Sequence, residues 1–328
     1  MADLTVYNAS GIFLEEWTFS DGPYIVESTS NTDGGVVRIL QFGRSGTIYG
    51  AFWGQGTNSA RGAYIRSNEI TVDTSKYYAL VVGAGRGYAG TSYGWVSREN
   101  GGGYTGIFEN DTLSSTASQS RALIIAAGAG GTGYGHQQSP GGVGGAPNGG
   151  NGTTSSDSEI GSTAGGGATT FGAGGGGNPN GSSGTVLGGG GGGSGYLGGY
   201  PNAGGGGGGG GGYFGGGGGG GGNDYGSGTR NASGGGGGSS YINTSKCTGN
   251  VQFNSGNGEY TSNPYYQGNA GLDYTGLAVI LGEGGPLVRL SQNNLWRDVK
   301  KVYVKNNDVW QEVKEAYEKR FDVWTRII

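Results

Sequence analysis

A single cysteine, Cys247, leaves no partner for a disulfide within the chain, and a metal site built on thiolates would need more of them. Histidine is as scarce: His136 stands alone, in a Gly135-His136-Gln137-Gln138 turn, where a catalytic base would lack the rigid surroundings that a triad demands. Charged residues make up 13% of the 328 residues and sum to −4, so there is no basic excess to seek nucleic acid. Long apolar runs are missing too. The longest, Ala122 to Ala127, falls far short of the roughly 18 residues of a membrane span. Met1 to Val6 shows neither the basic start nor the apolar stretch of a signal peptide, which leads to the expectation of folding in a cytosol. Cys247 is expected to be a small buried apolar residue.

Glycine is what the chain has in abundance, 84 residues of it. From Gly128 to Gly238, 56 of 111 residues are glycine, with nearly pure runs at Gly188 to Gly193, Gly204 to Gly212, Gly215 to Gly222 and Gly234 to Gly238. The absence of a Gly-X-Y period excludes collagen. Two readings remain, a flexible linker or a lattice of left-handed polyglycine II helices with three residues per turn. The interruptions favour the lattice. Only Asp157, Glu159, Asp224 and Arg230 are charged, whereas compact turn or anchor clusters recur: Asn178-Pro179-Asn180-Gly181, Gly195-Tyr196-Leu197, Tyr200-Pro201-Asn202, Tyr213-Phe214 and Asn223-Asp224-Tyr225. Rods without Cβ atoms can pair N–H and C=O groups between neighbours, but ordering glycine costs about 1–2 kcal/mol per residue against about 0.5–1.5 per hydrogen bond. A scaffold must therefore clamp the rods.

Residues 1–127 supply a candidate. Trp17-Thr18-Phe19, Tyr24-Ile25-Val26, Val36 to Leu40, Ile48 to Trp53, Glu69 to Val72 and Tyr77 to Val82 read as short strands between Gly, Asn, Asp and Ser clusters, with Asp33-Gly34-Gly35 as a hairpin turn. No helical period is sustained, which points to a β-sandwich. Beyond the glycine block, Gly276 to Leu281 is a further apolar strand, expected beside Leu123 to Ala126. The block is then an insertion pinned at both ends.

Gly62-Ala63-Tyr64-Ile65, Tyr77 to Gly83, Gly101-Gly102-Gly103-Tyr104-Thr105, Leu123 to Gly128 and Gly234 to Tyr241 resemble, in that order, the glycine-rich domain of the anaplastic lymphoma kinase and leukocyte tyrosine kinase ectodomains. The resemblance covers roughly residues 55 to 282. It implies an all-β fold: a tumour-necrosis-factor-like or jelly-roll β-sandwich with an inserted polyglycine II helix bundle. With no kinase domain or cysteine frame, the receptor function does not carry over. Similar domains occur in bacteriophage tail and fibre proteins, where polyglycine helices display receptor-binding loops.

At the C-terminal end, Trp296, Trp310 and Trp324 recur at intervals of 14, within Trp296-x-x-Val299-Lys300-x-x-Tyr303-x-Lys305 and Trp310-x-x-Val313-Lys314-x-x-Tyr317-x-Lys319. Val302 to Lys305, a turn at Asn306-Asn307-Asp308 and a return over Val309 to Val313 predict a β-hairpin, with a helix over Gln311 to Arg320 as the alternative. Such repeats look like those ending phage virion proteins, and Trp296, Trp310 and Trp324 are the candidate docking residues. The expected organisation is an N-terminal β region (1–54), a sandwich (55–127), the polyglycine insertion (128–240), return strands (241–285) and a Trp-repeat module (286–328).

Catalysis is not expected. GxGxxG matches inside a segment half glycine arise by chance, no Walker lysine follows them, and the carboxylates form no evident glycosidase pair. No cofactor and no metal are expected. Binding remains: Tyr134, His136, Tyr196, Tyr200, Tyr213, Phe214 and Tyr225 interrupt the rods, where tyrosine offers rigid amphipathic contact area at little entropic cost. Each could instead staple neighbouring rods, Tyr213-Phe214 above all. The leading expectation is a non-enzymatic virion protein, a tail fibre or tail-tip adhesin assembled in the host cytoplasm. Its expected partners are other virion proteins, a host surface glycan or outer-membrane protein, and further copies of itself, a trimer among the assemblies considered, with no nucleic acid. A decoration or attachment protein without receptor contact is the alternative. An ice-binding protein and a glycan-cleaving enzyme stand further off.

Overall fold

In a computed structural model of the chain, the described residues are 2–29, 35–90, 99–134, 138–145, 147–154, 163–169, 173–177, 180–194, 204–222, 232–248, 251–253 and 270–282, with six short strands between 289 and 326. They form an all-β protein of antiparallel sheets whose only helical elements are single 3-10 turns at Phe19–Asp21 and Gln119–Arg121. In chain order the strands are β1 (Leu4–Asn8), β2 (Phe13–Trp17), β3 (Tyr24–Ser28), β4 (Val36–Phe42), β5 (Gly46–Trp53), β6 (Tyr64–Val72), β7 (Tyr77–Ala84), β8 (Tyr104–Asn110) and β9 (Ala122–Ala126). The two-residue pair β10 (Gly133–Tyr134) and β11 (Gln138–Ser139) follows, then β12 (Tyr241–Ile242), β13 (Cys247–Thr248), β14 (Val251–Phe253) and β15 (Gly276–Gly282).

Two sheets face each other. One has seven strands in the order β12-β9-β8-β7-β4-β1-β2; the other runs β13-β6-β5-β15-β3, with β14 also paired to β6. Alternation along the strands fills the space between them with Leu4, Val6, Leu40, Phe42, Tyr78, Leu80 and Ile107 from the first sheet and Phe52, Ile65, Ile70, Ala278 and Ile280 from the second, all buried. Strands β1 to β5 thus belong to the same two sheets as β6 to β9.

Three expectations are corrected. Strand β15 does not lie beside β9 but in the opposite sheet, where it pairs with β3 and β5. Both strands are apolar on each side, so their composition could not tell the two sheets apart: Ala278 and Ile280 enter the shared core, while Leu277, Val279 and Leu281 pack behind it with Trp53 and Tyr64. Trp17-Thr18-Phe19 is not one strand, because β2 ends at Trp17 and the Asp3 carboxylate accepts the Phe19 amide at 2.9 Å as the 3-10 turn begins. Nor does Asp33-Gly34-Gly35 join a hairpin, since β3 and β4 stand in different sheets. Asp33 and Gly34 lie outside the described residues; Gly35 has a φ of +54° and sits against the Val82 and Gly83 carbonyls, where a Cβ would not fit.

The C-terminal strands are β16 (Arg289–Gln292), β17 (Leu295–Asp298), β18 (Tyr303–Asn306), β19 (Val309–Glu312), β20 (Tyr317–Arg320) and β21 (Val323–Arg326). They pair as β16-β17, β18-β19 and β20-β21, one hairpin every 14 residues, with Trp296, Trp310 and Trp324 in the same place on each second strand. The hairpin reading holds, and the helical alternative over Gln311 to Arg320 gives way to β19 and β20.

Burial sets the ionisation of several core groups. It lifts the Cys247 thiol to about 12 and the Tyr104 phenol to about 12, and also raises Tyr78, where the Asp73 amide donating to the phenol opposes the effect. A neutral phenol stabilised by the fold contributes fully below its unfolded pKa of about 10, and that contribution is lost as pH rises toward the folded value. Stability is therefore expected to hold between pH 7 and 9 and to fall above about pH 10. In Tyr104→Phe that fall is shallower by about 2 kcal/mol at pH 12, as denaturant unfolding at stepped pH would measure.

Candidate functional site

Glycine-rich segments emerge from one end of the seven-stranded sheet. The C-terminal ends of β7 and β9 and the N-terminal ends of β8 and β12 are neighbours in the order β12-β9-β8-β7, and they continue as residues 85–90, 127–134, 99–103 and 232–240. At Gly83 and Gly85 positive φ values of +76° and +73° turn the chain out of β7. Cross-bonding persists past the sheet: Gly238 and Gly235 donate to Gly128 and Gly131, Gly102 to Ala129, and Gly101 to Gly87.

Beyond this, side-chain chemistry gives way to main-chain bonding. In residues 204–212 the donors follow a three-residue period. Gly206 and Gly209 donate to Gly193 and Gly190, Gly207 and Gly210 to Ser233 and Gly236, and Gly208 and Gly211 to Glu99 and Gly102. The acceptors repeat it: Gly206 and Gly209 accept from Gly90 and Gly87, Gly207 and Gly210 from Gly219 and Gly216, and Gly205, Gly208 and Gly211 from Tyr134, Gly131 and Gly128. One segment is thus bonded to six others.

Residues 214–222 and 232–240 behave alike. The first donates to 182–185, 204–210 and 163–166 and accepts from 174–177, 190–193 and 233–239; the second donates to 214–220, 147–153 and 128–131 and accepts from 207–213, 165–168 and 142–145. These three segments bond to one another and, among the described residues, to nine surrounding ones, as a triangle of cylinders does in hexagonal packing. Donor–acceptor distances along the three lie between 2.7 and 3.2 Å. A Cβ built on Gly209 would overlap the Gly216 carbonyl, on Gly217 the Gly175 carbonyl and on Gly236 the Gly166 carbonyl, so the spacing admits no side chain.

Two joints fix this lattice to the sheets. Gln55, buried where β5 ends, receives the Ala129 amide on its main-chain carbonyl and donates its own amide to Gly103. Its side chain accepts from the Gly103 amide at 2.9 Å and donates to the Tyr274 carbonyl at 2.7 Å. The buried Glu99 carboxylate accepts the amides of Asn58 and Thr132 at 2.7 and 2.8 Å. Burial, with Glu99 second, raises the Tyr274 phenol.

Of the candidate residues, Tyr213 and Phe214 lie together at the sheet end of the lattice, their rings edge to face at 5.3 Å. Tyr213 stacks on Tyr241 of β12 with centroids 4.2 Å apart and planes within 11°, and its carbonyl accepts from Gln119 Nε2. With Leu187 it packs on the outer face of the sheet beside Tyr104, Phe108 and Ile125. The pair is half-buried and staples two central segments to β12. Tyr134 is half-buried at the opposite end, its amide donating to Gly205. His136, Tyr196, Tyr200 and Tyr225 lie outside the described residues. Trp296, Trp310 and Trp324 lie within the hairpins.

The composition-based boundary at 128 missed residues 54–63, 85–90 and 99–103, which also enter the bonding. Isolated glycines at 54, 56, 62, 85, 87, 90 and 101–103 were the available signal. Among the described residues no group of three His, Cys, Asp or Glu could hold a metal ion, and no helix is long and apolar enough to cross a membrane. No model of a known protein family matches the chain, and no curated protein matches it.

The lattice predicts a sharp contrast between two glycines. Gly209→Ala is expected to cost about 1–3 kcal/mol or more, because the adjoining backbone must move. Gly175→Ala, exposed and with nothing in reach of its Cβ, should be neutral or stabilising by up to about 1 kcal/mol. Calorimetric melting of the two variants checks this.

Proposed function

We propose that the chain is a non-enzymatic structural protein of a bacteriophage particle, a tail fibre or tail-tip adhesin that presents loops to a host surface on a polyglycine II lattice. The three-residue bonding period matches the three residues per turn of that helix. No glycine of 204–212, 215–222 or 234–238 has positive φ among the described residues, which agrees with its left-handed form. In this reading the sandwich is of the tumour-necrosis-factor or jelly-roll kind, and glycine serves close approach rather than conformational freedom.

One observation carries the display role. The described residues flanking the connections that hold His136, Tyr196, Tyr200 and Tyr225 are Tyr134 and Gln138, Ser194 and Gly204, and Gly222 and Ala232. By the bonding register all of them stand at the end of the lattice away from the sandwich: Gly222 donates to Gly204 and Tyr134 to Gly205, whereas Gly211 and Gly238 adjoin Gly102 and Gly128 next to the sheet. Four aromatic or imidazole side chains are thereby assigned to connections that begin and end at one face. A host glycan or outer-membrane protein is the proposed partner there. The hairpins with Trp296, Trp310 and Trp324 are the proposed docking module toward other virion proteins or further copies of the chain.

Purified protein is expected to compete with phage for adsorption to host cells, and Tyr196→Ser/Tyr200→Ser to weaken that competition at least about tenfold with an unchanged melting temperature. Undiminished competition by the folded variant would remove these tyrosines from the contact. Deleting 289–328 is expected to abolish incorporation into particles while leaving competition intact; loss of incorporation by a chain that never competes would favour the decoration protein instead.

A further inference from the structure

The sandwich opens along one side where each sheet runs out of strands, at β2 in the first and β3 in the second. Between these lips is a cleft of about 460 Å³, lined by Glu15 and Trp17 of β2, Tyr24 and Glu27 of β3, and Arg38 of β4, with Pro23, Ile25, Val26 and Val36 as apolar wall. Its volume falls within the range of sites that take small molecules. The Trp17 and Tyr24 rings meet edge to face at 5.8 Å, and the Trp17 indole is held by the Gly22 carbonyl at 3.0 Å. Burial, and then the Glu15 carboxylate, push the Tyr24 phenol up to about 12 against the opposing Arg38 guanidinium, and Arg38 donates to the Val37 carbonyl at 3.1 Å. The indole is therefore fixed, and a carboxylate and a guanidinium line the same cleft.

That mixture selects among ligand chemistries. Glu27, opposite Leu277, belongs to the outer face of the second sheet, so Glu15 and Arg38 are the charges that face the cleft. An apolar molecule would strip water from both without replacing their hydrogen bonds. An anion would face the Glu15 carboxylate, and a cation would face Arg38. A polyhydroxylated ring suits both, since its hydroxyls donate to the carboxylate and accept from the guanidinium while the C–H face rests on the Trp17 indole. We propose that this cleft is a binding site for one neutral sugar ring of a saccharide. It lies on the sandwich and is independent of the loops assigned to receptor contact above, so either assignment can fail while the other stands.

Saturation-transfer NMR on the full chain with D-glucose, D-galactose, D-mannose and N-acetyl-D-glucosamine, each at millimolar concentration, tests it. At least one is expected to receive saturation, with affinity on the order of 1 mM. Glu15→Gln, at an exposed position, should weaken the response about tenfold, with the melting temperature unchanged. Arg38→Gln should do the same if it folds, and Glu15→Gln decides the matter if it does not. No transfer to any of the four sugars, or transfer undiminished in the folded Glu15→Gln chain, overturns the proposal.

Discussion

Buried peptide groups must find partners, and in this protein that demand governs the arrangement of the glycine-rich segments. Elsewhere a core is chosen by side-chain shape. In residues 204–212, 214–222 and 232–240 there is almost no side chain to choose by, and each segment is held by amides and carbonyls directed in turn toward its neighbours. Any one bond contributes little net free energy. Six bonded neighbours make the segments interdependent, because withdrawing one strands a row of donors or acceptors on each segment it touched. The lattice is thus closer to a crystal than to a folded core, and like a crystal it needs an edge from which to grow.

The sandwich supplies that edge. Its strands β12, β9, β8 and β7 already stand side by side with their main chains paired, so the segments leaving them start in register. Gln55 couples the second sheet to the same plane through its main chain and its side-chain amide together, and Glu99 gathers the amide of Asn58 and the buried amide of Thr132. These two residues are polar and buried for the same reason. They replace the ladder where it changes from sheet geometry to segments bonded on all sides.

What could be read in advance follows from what sequence encodes locally. Strand-forming runs such as Val36 to Leu40 and Tyr77 to Val82 carry their own signal, as do the 14-residue hairpin repeats and the anchoring pair Tyr213-Phe214, the only aromatic break between the two longest glycine runs. Choice of sheet for β15 was not legible, since a strand apolar on both faces suits either centre. Residues 85–90 and 99–103 are too short to stand out in glycine content over a long window, whereas participation depends on whether a Cβ would strike a neighbouring carbonyl, as it would at Gly87, Gly101 and Gly102. That is a property of packing, invisible until the neighbours are known. His136, Tyr196, Tyr200 and Tyr225 are named by the sequence but lie outside the described residues, and only the segments flanking them have a register.

The C-terminal hairpins show the opposite use of repetition. The lattice repeats a three-residue bonding unit and, among the described residues, satisfies itself by crowding twelve segments together; the hairpins repeat a 14-residue unit and, among the described strands, each pairs only within itself. Isolated two-stranded hairpins are marginal in water. A tryptophan at the same strand position in each unit, opposite Ser291, Lys305 and Lys319, makes the series periodic along its length. A periodic row of marginal units is suited to folding against a surface of matching period, which couples its stability to attachment. Main-chain bonding is therefore concentrated in the lattice, and the hairpins are left to draw their order from whatever they pack against.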